Sequence, residues 1–466
     1  MDSSEYKHLV LGLVFMKYLS DADAGTPTVS GVVVPLEARW GSSTDPEGIA
    51  ALGSAPDLGR QIDQALRATA EANPRLDGVL SPLYANAPLS ADALAELVAV
   101  INGMDFGASP AEARDMLGRV YEYFLKTFAR AEGHRGGEFY TPACIVDLLV
   151  QIMEPRHGTI LDPACGSGGL FVQTAAFVGA DDNGSRLSLH GQEMNPATLR
   201  LARMNMVIHG LDADLRLGNS LQDDQFGDLR ADFVLANPPF NMKKWGASRT
   251  VGDPRWRYGI PPDRNANFAW VQHFLAHLSD RGRAGFVLAN GALTSVSSGE
   301  GAIRQELVEA DVVDCVVGLP PQLFFTTAIP VSLWFLDMDK ARSGGRDRRG
   351  EVLFIDARAL GTKISRTQTD LDQAERQRIS ATYRSWRDGL DYHDVVGFAR
   401  SATLAEVAEA KFRLAPSRYV GFHAAPVDAA VFEGELADAQ QDLRAALDEL
   451  DVSVGSVREI LAEISG

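Results

Sequence analysis

Asp232-Phe233-Val234-Leu235-Ala236-Asn237-Pro238-Pro239-Phe240 decides how this chain is read. A short apolar run ends abruptly in an amide, two prolines and an aromatic ring. The prolines supply no backbone N–H and fix φ, so a strand stops here and the loop after it is rigid. Pro238 also biases Asn237 toward an extended conformation. An amide side chain, carbonyls without neighbouring donors and an aromatic face are thereby held in a small space. A planar amino group suits such a place. It can donate to the Asn237 oxygen and to a backbone carbonyl while its ring stacks on Phe240. For four residues taken alone, a tight turn that merely caps a strand is the alternative. The order of motifs around them decides.

Outward from this stretch, short apolar runs alternate with helix-length segments: residues 159–161, 187–190, 214–217, 232–236, 284–289, 312–317 and 331–336. Seven such runs predict an α/β fold with a doubly wound, mainly parallel, Rossmann-like sheet. Ligands of such sheets bind beyond the carboxyl ends of the strands. Residues 351–356 read as one more strand and 371–386 as a helix. Helical spacing over 6–19, 58–72, 91–101 and 115–131 predicts a helical N-terminal domain over 1–130, ahead of the α/β domain over 131–425. In 426–466, Leu436, Leu443, Leu447, Leu450, Val454, Val457, Leu461 and Ile464 form a heptad seam. That is the mark of a helix lying along another helix, either in the N-terminal domain or in a partner subunit.

At 466 residues the chain is too long for one core. No apolar stretch approaches the ~20 residues of a membrane span, and the N-terminus lacks the pattern of a signal peptide. Cys144, Cys165 and Cys315 form no CxxC pair, which argues against a zinc site or disulfide framework and fits a reducing cytoplasm. The net charge is −18, so the chain as a whole is no nucleic-acid gripper. If nucleic acid is the substrate, a local basic patch or a partner subunit must supply most of the phosphate contacts. No metal cluster is read: His273 and His277 stand four apart without a third ligand and are placed on a helix surface.

The strand ends carry the chemistry. Asp162-Pro163-Ala164-Cys165-Gly166-Ser167-Gly168-Gly169-Leu170-Phe171 follows the first run. Its glycines allow a tight turn and close approach to a ligand, and the next helix aims its N–H groups at the same spot. Neither the dinucleotide fingerprint nor a P-loop lysine is present, which points to a nucleoside without a pyrophosphate. Glu193 ends the second run, where a carboxylate can accept both ribose hydroxyls; the alternative is a surface glutamate. Asn219 and Ser220 end the third, at the position for contacts to a base. Residues 242–264 hold Lys243, Lys244, Arg249, Arg255, Arg257 and Arg264, interleaved with Trp245, Trp256 and Tyr258. In so acidic a chain this loop is either a DNA-phosphate contact or a packed lid whose tryptophans are buried.

Taken in order, these pieces resemble the S-adenosylmethionine-dependent amino-methyltransferases of DNA, and more narrowly the modification subunit of type I restriction–modification systems. Glu5-Tyr6-Lys7-His8, Gly136-Gly137-Glu138-Phe139-Tyr140-Thr141-Pro142, residues 162–171, Asn237 to Asn241, Asn265-Ala266-Asn267-Phe268-Ala269-Trp270, residues 285–291 and Ile329-Pro330 carry the likeness. The family has a longer helical lead before Glu5, and close relatives carry cysteine where Ala164 stands, an exchange expected to be neutral.

The resemblance implies a seven-stranded methyltransferase sheet and N6 methylation of an adenine flipped out of duplex DNA. It implies that Phe139, Tyr140, Thr141 and Pro142 line the methionine end of S-adenosylmethionine. Asp162, Ala164, Gly166, Ser167 and Gly168 would cradle its amino-acid part, Glu193 its ribose, and Asn219 and Ser220 its adenine. Asn237, Pro238, Pro239 and Phe240 would hold the target base. Lys243, Lys244, Trp245, Arg249, Arg255 and Arg257 are the DNA-contact candidates. No nucleophilic cysteine is needed, since Cys165 lies in the cofactor turn. No region is left to read sequence, so a specificity subunit is the expected partner, with two modification chains per specificity chain; a restriction subunit can join. Two rivals remain at this point: a protein-glutamine methyltransferase, which uses the same turn to hold an amide, and a non-catalytic cofactor-binding assembly subunit.

Overall fold

The computed structural model describes residues 3–23, 32–41, 48–51, 53, 55–76, 78–80, 82–104, 116–118, 120, 121, 123, 141–179, 187–324, 329–341, 345–366 and 368–422, with a few positions between 440 and 447. By contacts the chain divides into Met1–Val420 and Gly421–Gly466. The heptad seam lies almost wholly outside the described residues, as do Phe139 and Tyr140.

The first unit is organised by a sheet of β1 (Gly158–Asp162), β2 (Leu187–Glu193), β3 (Ala213–Leu217), β4 (Ala231–Ala236), β5 (Leu278–Ala289), β6 (Val313–Gly318), β7 (Val331–Asp337), β8 (Glu351–Asp356) and, later in the chain, β11 (Ala399–Thr403). The spatial order is β3-β2-β1-β4-β5-β7-β6-β8-β11. Strand β7 runs antiparallel to β5 and β6, and β11 antiparallel to β8; the remaining pairs are parallel. The seven expected runs are β1 to β7. The seven-stranded expectation is corrected to nine, because β8 and β11 extend the β6 edge. Strand β11 escaped the sequence reading because its buried residues, Ala399 and Ala402, are small and three apart. A strand is read from alternation, and this one has none. A separate hairpin of β9 (Thr362–Ser365) and β10 (Gln368–Asp370) stands apart from the sheet.

Successive residues of each central strand face opposite layers. Ile160, Phe233, Leu235, Val287 and Phe335 pack under the helices Ala143–Met153, Gly169–Val178, Pro196–His209 and Gln373–Asp388. Leu161, Val234, Phe286, Leu288 and Trp334 pack under Asn267–His277 and Glu300–Glu309. Both faces of the parallel strands are covered, which is why the runs are continuously apolar rather than alternating.

The N-terminal helices α1 (Ser3–Asp23), α2 (Leu58–Ala72) and α3 (Ala91–Asn102) bury a third cluster. It takes in Leu201, Met204 and Ile208 from the outer side of Pro196–His209. The Tyr121 hydroxyl, on the helix expected over 115–131, donates to the Leu201 carbonyl at 2.6 Å. A helix that flanks the sheet is thus also the floor of the N-terminal layer. Chain order turns around at β1 and β4: β2 and β3 lie to one side, β5 to the other. An open parallel sheet binds its ligand in the crevice above such a switch point.

Candidate active site

Above the carboxyl ends of β1 and β4 lies a cavity of about 680 Å3, counting its open mouth. Thr141, Asp162, Ala164, Gly166, Ser167 and Asn237 line it, as expected. Asn205 and Gln173 line it too, and the sequence reading missed both. The other expected residues with described positions (Pro142, Gly168, Glu193, Asn219, Ser220, Pro238, Pro239 and Phe240) are not among the lining residues.

The wall is built by local hydrogen bonds. Gly166 and Gly168 take φ of 54° and 78°, left-handed values that favour glycine. A Cβ on Gly168 would also lie 2.8 Å from the Met206 side chain, so the turn sits tight against the helix Pro196–His209. The freed amide of Gly166 donates to Glu193 Oε2 at 3.1 Å, and Glu193 Oε1 accepts from the Asn195 amide at 2.8 Å. Glu193 therefore ties the end of β2 to the glycine turn. Asn205 donates to the Ser167 carbonyl at 2.9 Å, while its buried Oδ1 has no hydrogen-bond partner. A polar residue on the helix face that packs against the glycine turn was the available signal for Asn205.

Asp162 is 1 % exposed, and its Oδ1 accepts from the Ala164 amide at 3.0 Å. Burial pushes its pKa up to about 8; the Ala164 bond opposes this and the Glu193 charge adds to it. As it stands the carboxyl holds its proton at neutral pH and is poised to release it to solvent when a cationic group comes beside it. Cys165 is buried, and burial together with the Asp162 and Glu193 charges raises its thiol far above the ordinary range. A thiolate nucleophile is disfavoured there.

At the end of β4, Asn237 Nδ2 donates to the Thr141 hydroxyl at 2.8 Å. Its Oδ1 is buried and has no hydrogen-bond partner. An unpaired buried acceptor costs free energy, of order 1–3 kcal/mol, and such groups cluster where a ligand completes the bonding. The Phe240 ring is 8 % exposed and meets Phe324 edge-on at 5.7 Å between centroids. The turn behind it is locked by Asn267, which accepts from the Asn241 amide at 2.9 Å and donates to Asn241 Oδ1 at 3.0 Å. Asn267, fully buried, is a further residue that the sequence reading did not single out for this task.

The basic loop packs its tryptophans inward and leaves most of its cations exposed. Trp245 and Trp256 are buried, edge to face at 5.7 Å, with their indole N–H groups on the Pro262 and Thr250 carbonyls. Lys243, Lys244, Arg249, Arg257 and Arg264 are exposed. Arg255 is turned inward, its side chain 11 % exposed. Asn219 Oδ1 caps the Leu221 amide at 3.2 Å, and the Ser220 hydroxyl donates to the Pro163 carbonyl at 2.6 Å.

One expectation is overturned. His273 and His277 do not face a helix surface; each is 1 % exposed. Asp224, from the β3–β4 connection, supplies the third side chain, and the three candidate ligand atoms lie within 4.8 Å of one another. Asp224 lies far from the histidines in sequence, so no local pattern announces it. The His273 Nδ1 of this cluster accepts from the Arg255 guanidinium at 2.8 Å.

The family model of N-6 DNA methylases matches residues 112–426. A type I restriction enzyme methylase subunit of Haemophilus influenzae is 40% identical over 89% of this chain and 95% of its own length. One from Methanocaldococcus jannaschii is 36% identical over 99% of this chain and 88% of its own. The crystal structure of a type I restriction–modification methyltransferase subunit from Streptococcus thermophilus superposes with a TM-score of 0.75 at 28% identity, covering 91% of this chain and 96% of that one.

Proposed function

Because the chain belongs to the N-6 DNA methylases, and among them to the methylase subunits of type I restriction enzymes, we propose that its reaction runs at the Asn237 turn. The chain methylates adenine N6 in DNA as the modification subunit of such a system. These relatives lend no support to the protein-glutamine alternative. The observation that carries the site assignment is the Asn237 amide: one end is fastened to Thr141 and the other is an unpaired acceptor.

The cavity fits a cationic nucleoside. It offers the Asp162 carboxyl, the glycine turn against Met206 and the free Asn205 acceptor. Asp162, Gly166 and Ser167 would hold the amino-acid part of S-adenosylmethionine and Glu193 its ribose, with Asn219 and Ser220 beside the base. When bound, that group supplies a methyl on a positively charged sulfur. The chain's own residues act on the adenine. Asn237 Oδ1 and the Pro238 carbonyl accept from the exocyclic amine and draw its lone pair out of the ring. Phe240 offers a stacking face to the flipped base, which has lost its neighbours at a cost of a few kcal/mol. Catalysis is then by positioning and by fixed dipoles rather than by a covalent intermediate.

Thr141 sets which end of the Asn237 amide faces the base. Thr141→Val keeps the shape and removes the acceptor for Nδ2. It is expected to lower kcat roughly 10-fold, the worth of about one hydrogen bond, with Thr141→Ser close to wild type. Single-turnover rates with saturating donor check this; a valine variant at wild-type rate contradicts it.

Lys243, Lys244, Arg249 and Arg257 are the exposed cations for DNA phosphates. Site choice belongs to a specificity subunit, two modification chains to one, and a restriction subunit can join them. Residues 1–130 and 426–466 serve as docking segments around the catalytic region 131–425. Deleting 431–466 should abolish co-purification with the specificity subunit; unchanged assembly contradicts that docking. None of the described helices is long and apolar enough to cross a membrane. The reading is tested by supplying labelled S-adenosylmethionine and duplex DNA to the chain with and without the specificity subunit. Label should enter DNA only with the partner; label on protein, or none, contradicts it.

A further inference from the structure

Arg255 stands in the basic loop, yet it has no donor to give to DNA. A guanidinium carries five N–H groups, and all five end on the protein. Nε donates to Asp253 Oδ1 at 2.9 Å and Nη2 to Asp253 Oδ2 at 2.6 Å. The other Nη2 hydrogen goes to the Leu221 carbonyl at 2.8 Å. Nη1 reaches the Ser220 carbonyl at 2.9 Å and His273 Nδ1 at 2.8 Å. A guanidinium can only donate, so His273 Nδ1 is the acceptor of this pair. Asp253 in turn orients the fork within the same loop.

The carbonyls that Arg255 grips belong to the turn after β3. From that turn the Ser220 hydroxyl donates to the Pro163 carbonyl, between Asp162 and Ala164 in the cavity wall. A second tie runs in parallel: Gln222 Nε2 donates to the Trp245 carbonyl at 2.7 Å and Gln222 Oε1 accepts from Arg249 at 3.0 Å. The 219–222 turn is thus clamped between the basic loop and the donor-binding turn.

We propose that Arg255 is a positioning residue for the methyl-donor site, acting through Ser220 on Pro163, and not a DNA-phosphate contact. The inference rests on the reading of the 162–171 turn as the donor site. Its physical basis is that the planar fork makes five bonds at once, to Asp253, two carbonyls and His273, where a lysine has only three donors and no fork. Loss of the fork frees the 219–222 turn and with it the Pro163 end of the glycine turn.

The test compares Arg255→Lys, Ser220→Ala, their double variant and Lys243→Ala in the intact modification complex. Donor affinity is read by calorimetry with S-adenosylmethionine, without DNA. DNA affinity is read as a function of salt. Asp162→Asn is measured first, so failure of the donor-site reading shows there as donor binding equal to wild type. Arg255→Lys and Ser220→Ala should each weaken donor binding several-fold, and the double variant should be no weaker than the worse single one, since both act on one path. The salt slope should be unchanged in Arg255→Lys and should fall by about one in Lys243→Ala. If Arg255→Lys lowers the salt slope, or leaves donor affinity at the wild-type value, the proposal is overturned.

Discussion

Asn237→Ala should abolish detectable methylation while sparing donor binding. The side chain contributes an acceptor that no other described group duplicates: Oδ1 is buried and unpaired, while Nδ2 is spent on Thr141. An alanine leaves the flipped amine with the Pro238 carbonyl alone and a methyl group in place of the second acceptor. Removing one preorganised partner of the reacting group typically costs about 100- to 1,000-fold in kcat. The backbone here is set by Pro238, Pro239 and the Asn241–Asn267 pair of bonds, so the turn should survive the truncation. The donor dissociation constant should stay within a few-fold, because the glycine turn and Glu193 are untouched. Asn237→Asp is the informative companion. It keeps an acceptor toward the base and turns Thr141 into the donor, so it should fall between the two. Single-turnover kinetics on hemimethylated and unmethylated duplexes check the series; an alanine variant within three-fold of wild type removes Asn237 from the mechanism.

The second large effect concerns Asp162 and is a pH effect. Its pKa stands at about 8 in place of the ordinary 3.8, with burial as the leading cause. Between those values the folded chain keeps a proton that the unfolded chain has lost, so this group lowers stability as pH rises through the window. A cationic ligand beside the carboxyl reverses the preference, since an opposite charge favours the ionised form. Donor binding should therefore release a proton near neutral pH, and affinity should tighten from pH 6 toward pH 8. Asp162→Asn should bind with no proton release, no pH slope over that range, and roughly 10- to 100-fold more weakly, the worth of a charged hydrogen bond. Calorimetry in two buffers of different ionisation enthalpy reads the proton directly. Proton uptake, or none, by the wild-type chain contradicts the assignment.

What was legible in the sequence was what is written locally. The seven apolar runs, the prolines after Ala236 and the glycines after Asp162 each impose a backbone by their own chemistry, and each stands where it was expected. Apart from Gln173, on the helix that follows the glycine turn, the misses are long-range. Asp224 joins His273 and His277 only because the β3–β4 connection folds over the helix Asn267–His277. Arg255 reads as a free cation by composition and proves inward-facing because Ser220 and Leu221 offer it carbonyls from another turn. Asn205 and Asn267 look like ordinary helix residues until the turns they brace are beside them. β11 is made by its register on β8, not by its own pattern. Periodicity reports which face is buried; it does not report which polar group completes another.

Nucleoside mass spectrometry of DNA treated with the purified chain and its specificity subunit tests the central claim most directly. The turn holds an exocyclic amine, and both adenine N6 and cytosine N4 are exocyclic amines. The account predicts N6-methyladenine as the product, stoichiometric with target sites and absent with Asn237→Ala. N4-methylcytosine, or N6-methyladenine that persists in the Asn237→Ala enzyme, would contradict it.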